Sequence, residues 1–118
     1  MTLSLAVHPE AAAELDDAIA WYDQGGQGRG QQFRATVNEV LDRCLIWPES
    51  APVYPLDQDD VVVRTAGVAR SPYRIVYFVE HETLNVVAMA HGRRRPGYWR
   101  DRLTITPSPA APPPESNT

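Results

Sequence analysis

Two apolar runs dominate the chain: Tyr73-Arg74-Ile75-Val76-Tyr77-Phe78-Val79 and Leu84-Asn85-Val86-Val87-Ala88-Met89-Ala90. Between them lies the polar pair His81-Glu82. Runs of β-branched and aromatic residues around a short polar junction predict a β-hairpin spanning Ser71 to His91. Neither run alternates strictly between apolar and polar. A strand covered on both faces reads that way, so the hairpin is expected at the centre of a sheet. Arg74 inside the first strand and His91 at the end of the second are the polar exceptions.

The rest of the pattern supplies the other elements. Leu3 to Val7 reads as a short strand. Pro9 suits a first helical position, and Glu10 then sits in the first turn, where the helix dipole favours an acid. Ala11, Leu15, Ala18, Ile19 and Tyr22 fall on one helical stripe, with Glu14, Asp16, Asp17 and Asp23 off it. Gly25, Gly26, Gly28 and Gly30 interrupt that helix. A second helix is predicted from about Gln31 to Ile46, with Phe33, Val37, Val40, Leu41 and Cys44 on its apolar face. Pro48 biases Trp47 out of helical geometry and ends it. Two helices joined by a short turn make an αα-hairpin. An irregular Pro- and Asp-rich loop follows, then a strand over Val61–Val68 and a short closing helix starting near Pro96. The order β-α-α-β-β-β-α predicts an α+β domain: a helical hairpin backing a three-stranded antiparallel meander. The neighbour of the first strand is left open.

Composition refines this. The chain has 118 residues, and residues 104–118 hold five of the eleven prolines. That stretch has too little apolar surface to offset its ordering entropy, so residues 1–103 are expected to form the domain and 104–118 a Pro-rich disordered tail. Cys44 is the sole cysteine, and no metal-ligand spacing surrounds it. No long apolar run or signal-peptide pattern occurs, which predicts a soluble, cytoplasmic protein without membrane attachment.

Charge is uneven. Residues 1–63 carry eleven acids against three Arg, and residues 64–118 carry eight Arg against four acids. There is no Lys. Guanidinium forks suit carboxylates and phosphates, so the basic half is fit to meet an acidic partner or a nucleic-acid backbone.

The glycine stretch lacks the Lys-Ser/Thr ending of a phosphate loop, and Asp57, Asp59 and Asp60 lack the Gly and closing Glu of a calcium loop. Neither a cofactor nor a metal is expected. The densest cluster is His91-Gly92-Arg93-Arg94-Arg95-Pro96-Gly97-Tyr98-Trp99. Arg64, Arg74, Arg93, Arg94, Arg95, Tyr98 and Trp99 are therefore the candidate target- and partner-binding residues. A blander reading has Tyr98 and Trp99 capping a sheet face while the arginines stay solvated.

The element order, Pro72-Tyr73-Arg74-Ile75-Val76-Tyr77 and the Arg-Arg-Arg-Pro-Gly-Tyr-Trp ending resemble the RelE/ParE family of bacterial toxins over roughly residues 3 to 103. The resemblance implies a toxin neutralised by a cognate antitoxin protein, with oligomers formed through that antitoxin. RelE-like members cleave mRNA on the ribosome. That chemistry needs a base, an acid and cations for the developing phosphorane charge. In the best-known branch two lysines precede the Tyr-Arg motif; here Thr65 and Gly67 stand near those places. Arg74, Arg93 or Arg94, and Tyr98 match other family positions, and His91 is a candidate substitute base. The nuclease alternative thus rests on His91, Arg74, Arg94 and Tyr98. ParE-like members inhibit DNA gyrase by binding, and the Arg-rich ending resembles this branch more closely. The expectation is a ParE-like toxin, plasmid-stabilising and growth-inhibiting. A ribosome-dependent endonuclease is the alternative, and a non-toxic partner-binding domain the second.

Overall fold

The computed structural model describes residues 3–55 and 61–103. The expected tail at 104–118 and the aspartates at 57, 59 and 60 lie outside the described residues.

The first strand, β1 (Ser4–Val7), leads through His8 into α1 (Pro9–Gln24). Pro9 occupies the first turn as its fixed φ predicts, and the His8 imidazole accepts the Glu10 N–H at 3.1 Å. The second helix, α2 (Arg29–Ile46), begins two residues earlier than its apolar stripe indicated. The Asp23 carboxylate explains this. It accepts the Gly30 N–H at 2.8 Å, and a Cβ at position 30 would lie 2.6 Å from it, so a larger residue there would push the carboxylate off this bond. The interhelical turn is therefore four residues long, Gly25 to Gly28, and α2 is capped by a side chain from α1.

A 3₁₀ turn (Pro48–Ser50) follows, then β2 (Val63–Gly67), β3 (Tyr73–Glu80) and β4 (Thr83–His91). The sheet order is β1-β4-β3-β2. The hairpin β3–β4 is indeed central, and β2–β3–β4 is an antiparallel meander. The position left open by the sequence is now filled: β1 lies parallel to β4, Ser4 opposite Thr83 and Val7 opposite Val86.

Both faces of the hairpin are covered. On one face Ile75, Tyr77, Leu84, Val86 and Met89 pack beneath the stripes of α1 and α2. On the other, Val63, Val76, Phe78, Val87 and Ala88 pack with Trp99, Tyr54 and Leu103. One irregularity allows β4 to serve both. Val76 pairs with Ala88 but Tyr77 with Val86, so Val87 is a bulge residue. Without that extra residue the side-chain alternation would send Met89 to the wrong face. The expected closing helix is a single 3₁₀ turn (Arg100–Leu103), placed four residues after Pro96.

Candidate functional site

The Arg-rich segment leaves β4 at His91 and folds back across the second face. Gly92 N–H donates to the Pro72 carbonyl at 2.8 Å, and Arg94 N–H to the His91 carbonyl at 2.9 Å. The segment is thus a pair of tight turns fixed to the open end of the hairpin. Arg93, Arg94 and Arg95 are all exposed on it. Arg94 lies over the Tyr98 ring, its guanidinium carbon 3.9 Å from the centroid, an arrangement that attracts a cation to the ring face. Trp99 is only 2% exposed and packs edge-on against Tyr54 at 5.0 Å. Of the two aromatics, Trp99 therefore builds the second core, and Tyr98 is half-buried beside it.

Arg74 extends from β3 across β2. Its guanidinium donates to the Thr65 carbonyl at 2.9 Å and to the Thr65 hydroxyl at 3.1 and 3.2 Å. A Cβ on Gly67 would lie 3.1 Å from this guanidinium, so glycine there leaves the arginine its path. In register Arg74 sits opposite Ala90, next to the Tyr73–His91 pair that starts the Arg-rich segment. Arg64 stands apart. It pairs with Tyr77, on the helix-backed side, and donates to the carbonyls of Glu49 and Ala51 at 3.2 and 2.7 Å. The structure brings Arg74, His91 and Arg93–Arg95 to one end of the sheet and leaves Arg64 to brace the 3₁₀ turn after α2.

His91 and Tyr98 are both engaged. The His91 Nδ1 accepts the Arg93 N–H at 2.9 Å, and its ring meets Tyr73 edge-on at 5.0 Å. A neutral imidazole that accepts through Nδ1 carries its proton on Nε2, so this bond ties the ring to the turn through Nδ1. The Tyr98 hydroxyl donates to Glu14 at 3.0 Å. Burial, then the charge and hydrogen bond of Glu14, push this phenol up to about 12, against the opposing pull of Arg94 and Arg102.

Glu14 is the residue that periodicity misassigned. It lies off the apolar stripe of α1, where an acid reads as solvated. Instead it accepts the Met89 N–H at 3.0 Å and a two-pronged contact from Arg102 at 2.9 and 3.1 Å. Arg102 also donates to the Val87 carbonyl at 2.8 Å. These are backbone groups that β1, ending at Val7, is too short to reach. Side chains from both ends of the domain thus replace a missing strand partner along the upper half of β4. The only available signal was Arg102 in the closing segment, with nothing in sequence to tie it to position 14. Burial alone would raise the Glu14 carboxyl, but Arg102, the Met89 N–H and Tyr98 together hold it below the usual carboxylate range.

Among the described residues, no three His, Cys, Asp or Glu side chains converge as a metal site, and no helix is long and apolar enough to cross a membrane.

The profile of the ParE toxin of the type II toxin–antitoxin system parDE matches residues 5–96, from β1 through the Arg-rich turn. The chain belongs to the ParE toxin family. Its fold is similar to a solved chain of the chromosomal ParDE toxin–antitoxin system of P. aeruginosa, with a TM-score of 0.63 and 19% identity over 76% of this chain and 96% of that one. At that identity the likeness speaks for the fold. Among curated proteins none matches significantly. This ParE-family toxin therefore shares its architecture with a chain of that system.

Proposed function

We propose that this toxin slows growth by binding DNA gyrase, without bond-breaking chemistry of its own, and that a cognate antitoxin neutralises it by covering the Arg-rich end of the sheet. The observation that carries this reading is the commitment of the groups a nuclease would need. Thr65 and Gly67 offer no base or acid, and His91 Nδ1 and the Tyr98 hydroxyl are already bonded within the chain. A phenol at about 12 is a poor proton donor and acceptor near neutrality. What stays exposed is cationic: Arg74, Arg93, Arg94 and Arg95. Such a surface suits electrostatic recognition of an acidic protein partner.

The test is supercoiling by purified gyrase with increasing toxin. Inhibition that weakens when Arg93, Arg94 and Arg95 become Ala supports the proposal. Unchanged supercoiling at saturating toxin overturns it. Cleavage of ribosome-bound message that disappears with His91→Ala would establish the nuclease alternative instead.

A further inference from the structure

Two cavities adjoin along one side of α2 and abut the Arg-rich segment where the Gly92 N–H bonds the Pro72 carbonyl. One, about 870 Å³, lies between the tip of the helical hairpin and the β2–β3 turn. The other, about 480 Å³, continues past that turn toward the outer edge of β2. They share Ala69, Ser71 and Pro72 as a common wall. Together they form a groove whose charged lining is Arg29 and Arg70 in the first part, and Arg43 and Arg74 in the second. No Asp or Glu lines either part. In a chain of net charge −4 that is a marked local reversal. All four arginines are exposed, and among the described residues none is ion-paired. Arg29 and Arg43 lie fourteen residues apart on α2, about 21 Å along its axis.

This lining complements an anionic, elongated occupant, and the remaining residues narrow its kind. An amphipathic helix would need an apolar floor to bury. Here Phe33, Val40 and Val68 are already 6%, 5% and 3% exposed, used up by the core. Besides guanidinium the groove offers amide and hydroxyl groups, such as Gln24, Gln32 and Ser71, small apolar patches at Ala35, Ala69 and Pro72, and one large flat surface. That surface is the Trp21 indole, 63% exposed and standing edge-on to Tyr22 at 5.1 Å. Cations that follow a backbone, beside an aromatic face that any base can stack on, are the requirements of single-stranded nucleic acid.

We propose that this groove binds single-stranded DNA, with Trp21 stacking a base and Arg29, Arg43, Arg70 and Arg74 contacting phosphates. The choice of DNA rests on the gyrase reading; the groove's affinity for a strand does not. Binding is measured without gyrase, so the two ideas fail separately.

The experiment is fluorescence anisotropy of a short labelled oligothymidylate with the full-length toxin, across a salt series. Saturable binding is expected. Trp21→Ala should weaken it roughly tenfold or more, the scale of one lost base stack. Arg29→Gln with Arg43→Gln should make the log–log salt slope shallower by about 1.4, the share of two phosphate contacts on a single strand. All three side chains are exposed, and circular dichroism of each variant confirms its fold. The proposal falls if the oligonucleotide does not bind, if binding survives these substitutions, or if poly-glutamate displaces the strand at comparable concentration. Oligouridylate binding tenfold tighter than oligothymidylate would overturn the choice of DNA. Loss of DNA binding with supercoiling inhibition intact would separate the groove from the toxin's action on gyrase.

Discussion

Glu14 and Arg102, 88 positions apart, meet side by side: each carboxylate oxygen takes one guanidinium nitrogen, at 2.9 and 3.1 Å. Their side chains are 15% and 10% exposed, and both also bond backbone groups of β4. Glu10 adds a third charge at 3.2 Å from the more exposed side. This pair joins α1, β4 and the closing turn at one point.

Glu14→Gln leaves a largely buried guanidinium with only the exposed Glu10 as counter-charge. The expected loss is about 2–3 kcal/mol, somewhat below the figure for a fully enclosed pair because some solvent reaches this one. Urea unfolding at neutral pH measures it. The pH dependence has a fixed direction. Glu14 titrates below its ordinary value of 4.5 in the folded chain, so its contribution is complete above that value. It is lost as pH falls from there through the depressed folded value. Glu14→Gln should remove this part of the acid sensitivity; an identical acid profile in both proteins would contradict it.

Tyr98 behaves in the opposite sense. Its phenol is raised from 10 to about 12, so the stability it contributes is present at neutral pH and is lost only as pH climbs from 10 through that value. Tyr98→Phe removes a hydrogen bond to a carboxylate and should cost about 1.5 kcal/mol. An absorbance titration should lose one of its high-pH tyrosine components in the same variant, while those of Tyr77 and Tyr73, also raised by burial, persist.

Neighbouring residues of the Arg-rich ending should separate cleanly by phenotype. Trp99→Ala removes the largest side chain of the second core, and a loss of about 3–5 kcal/mol is expected from the cavity alone. Arg93→Ala and Arg95→Ala alter exposed side chains and should shift stability by no more than about 0.5 kcal/mol. Thermal melts beside supercoiling assays test this: the first variant should lose fold and inhibition together, the second pair inhibition alone.

The hairpin turn stores relievable strain. His81 and Glu82 both adopt positive φ, 55° and 58°, as a two-residue turn of this hand demands. Glu is uncommon in that region, and Asn and Gly occupy it at lower cost than the residues present. His81→Asn with Glu82→Gly should stabilise the chain by about 1 kcal/mol, a rise in melting temperature of about 4–8 °C for a domain of this size. No rise would mean that contacts of these side chains outweigh the backbone gain.

The elements were legible in the sequence because each is written locally. The Phe33–Val37–Val40–Cys44 stripe and the double-faced run from Ile75 to Phe78 declare their environments within a few residues. Parallel pairing of β1 with β4 was not legible, since nothing in Leu5 or Val7 names a partner nearly eighty residues away. The candidate site divides along the same line. The exposed arginines 93–95 were visible as a cluster, whereas the separation of Arg64 from them follows from strand register. Glu14 was missed because helical periodicity measures a stripe from one helix alone, and cannot register a guanidinium arriving over its edge. The α2 groove drew two of its four arginines from the half of the chain that composition had marked as acidic.

The β1–β4 ladder also dictates when this molecule can exist during synthesis. Its first strand is made first, yet the strand it must lie against is among the last regular elements to leave the ribosome. Until then the helical hairpin has no floor to settle on, and such late, sequence-distant closure is slow relative to local structure. The sheet that backs both helices therefore cannot close until β4 has been made, so β1 waits on a strand nearly eighty residues downstream and the two helices wait with it.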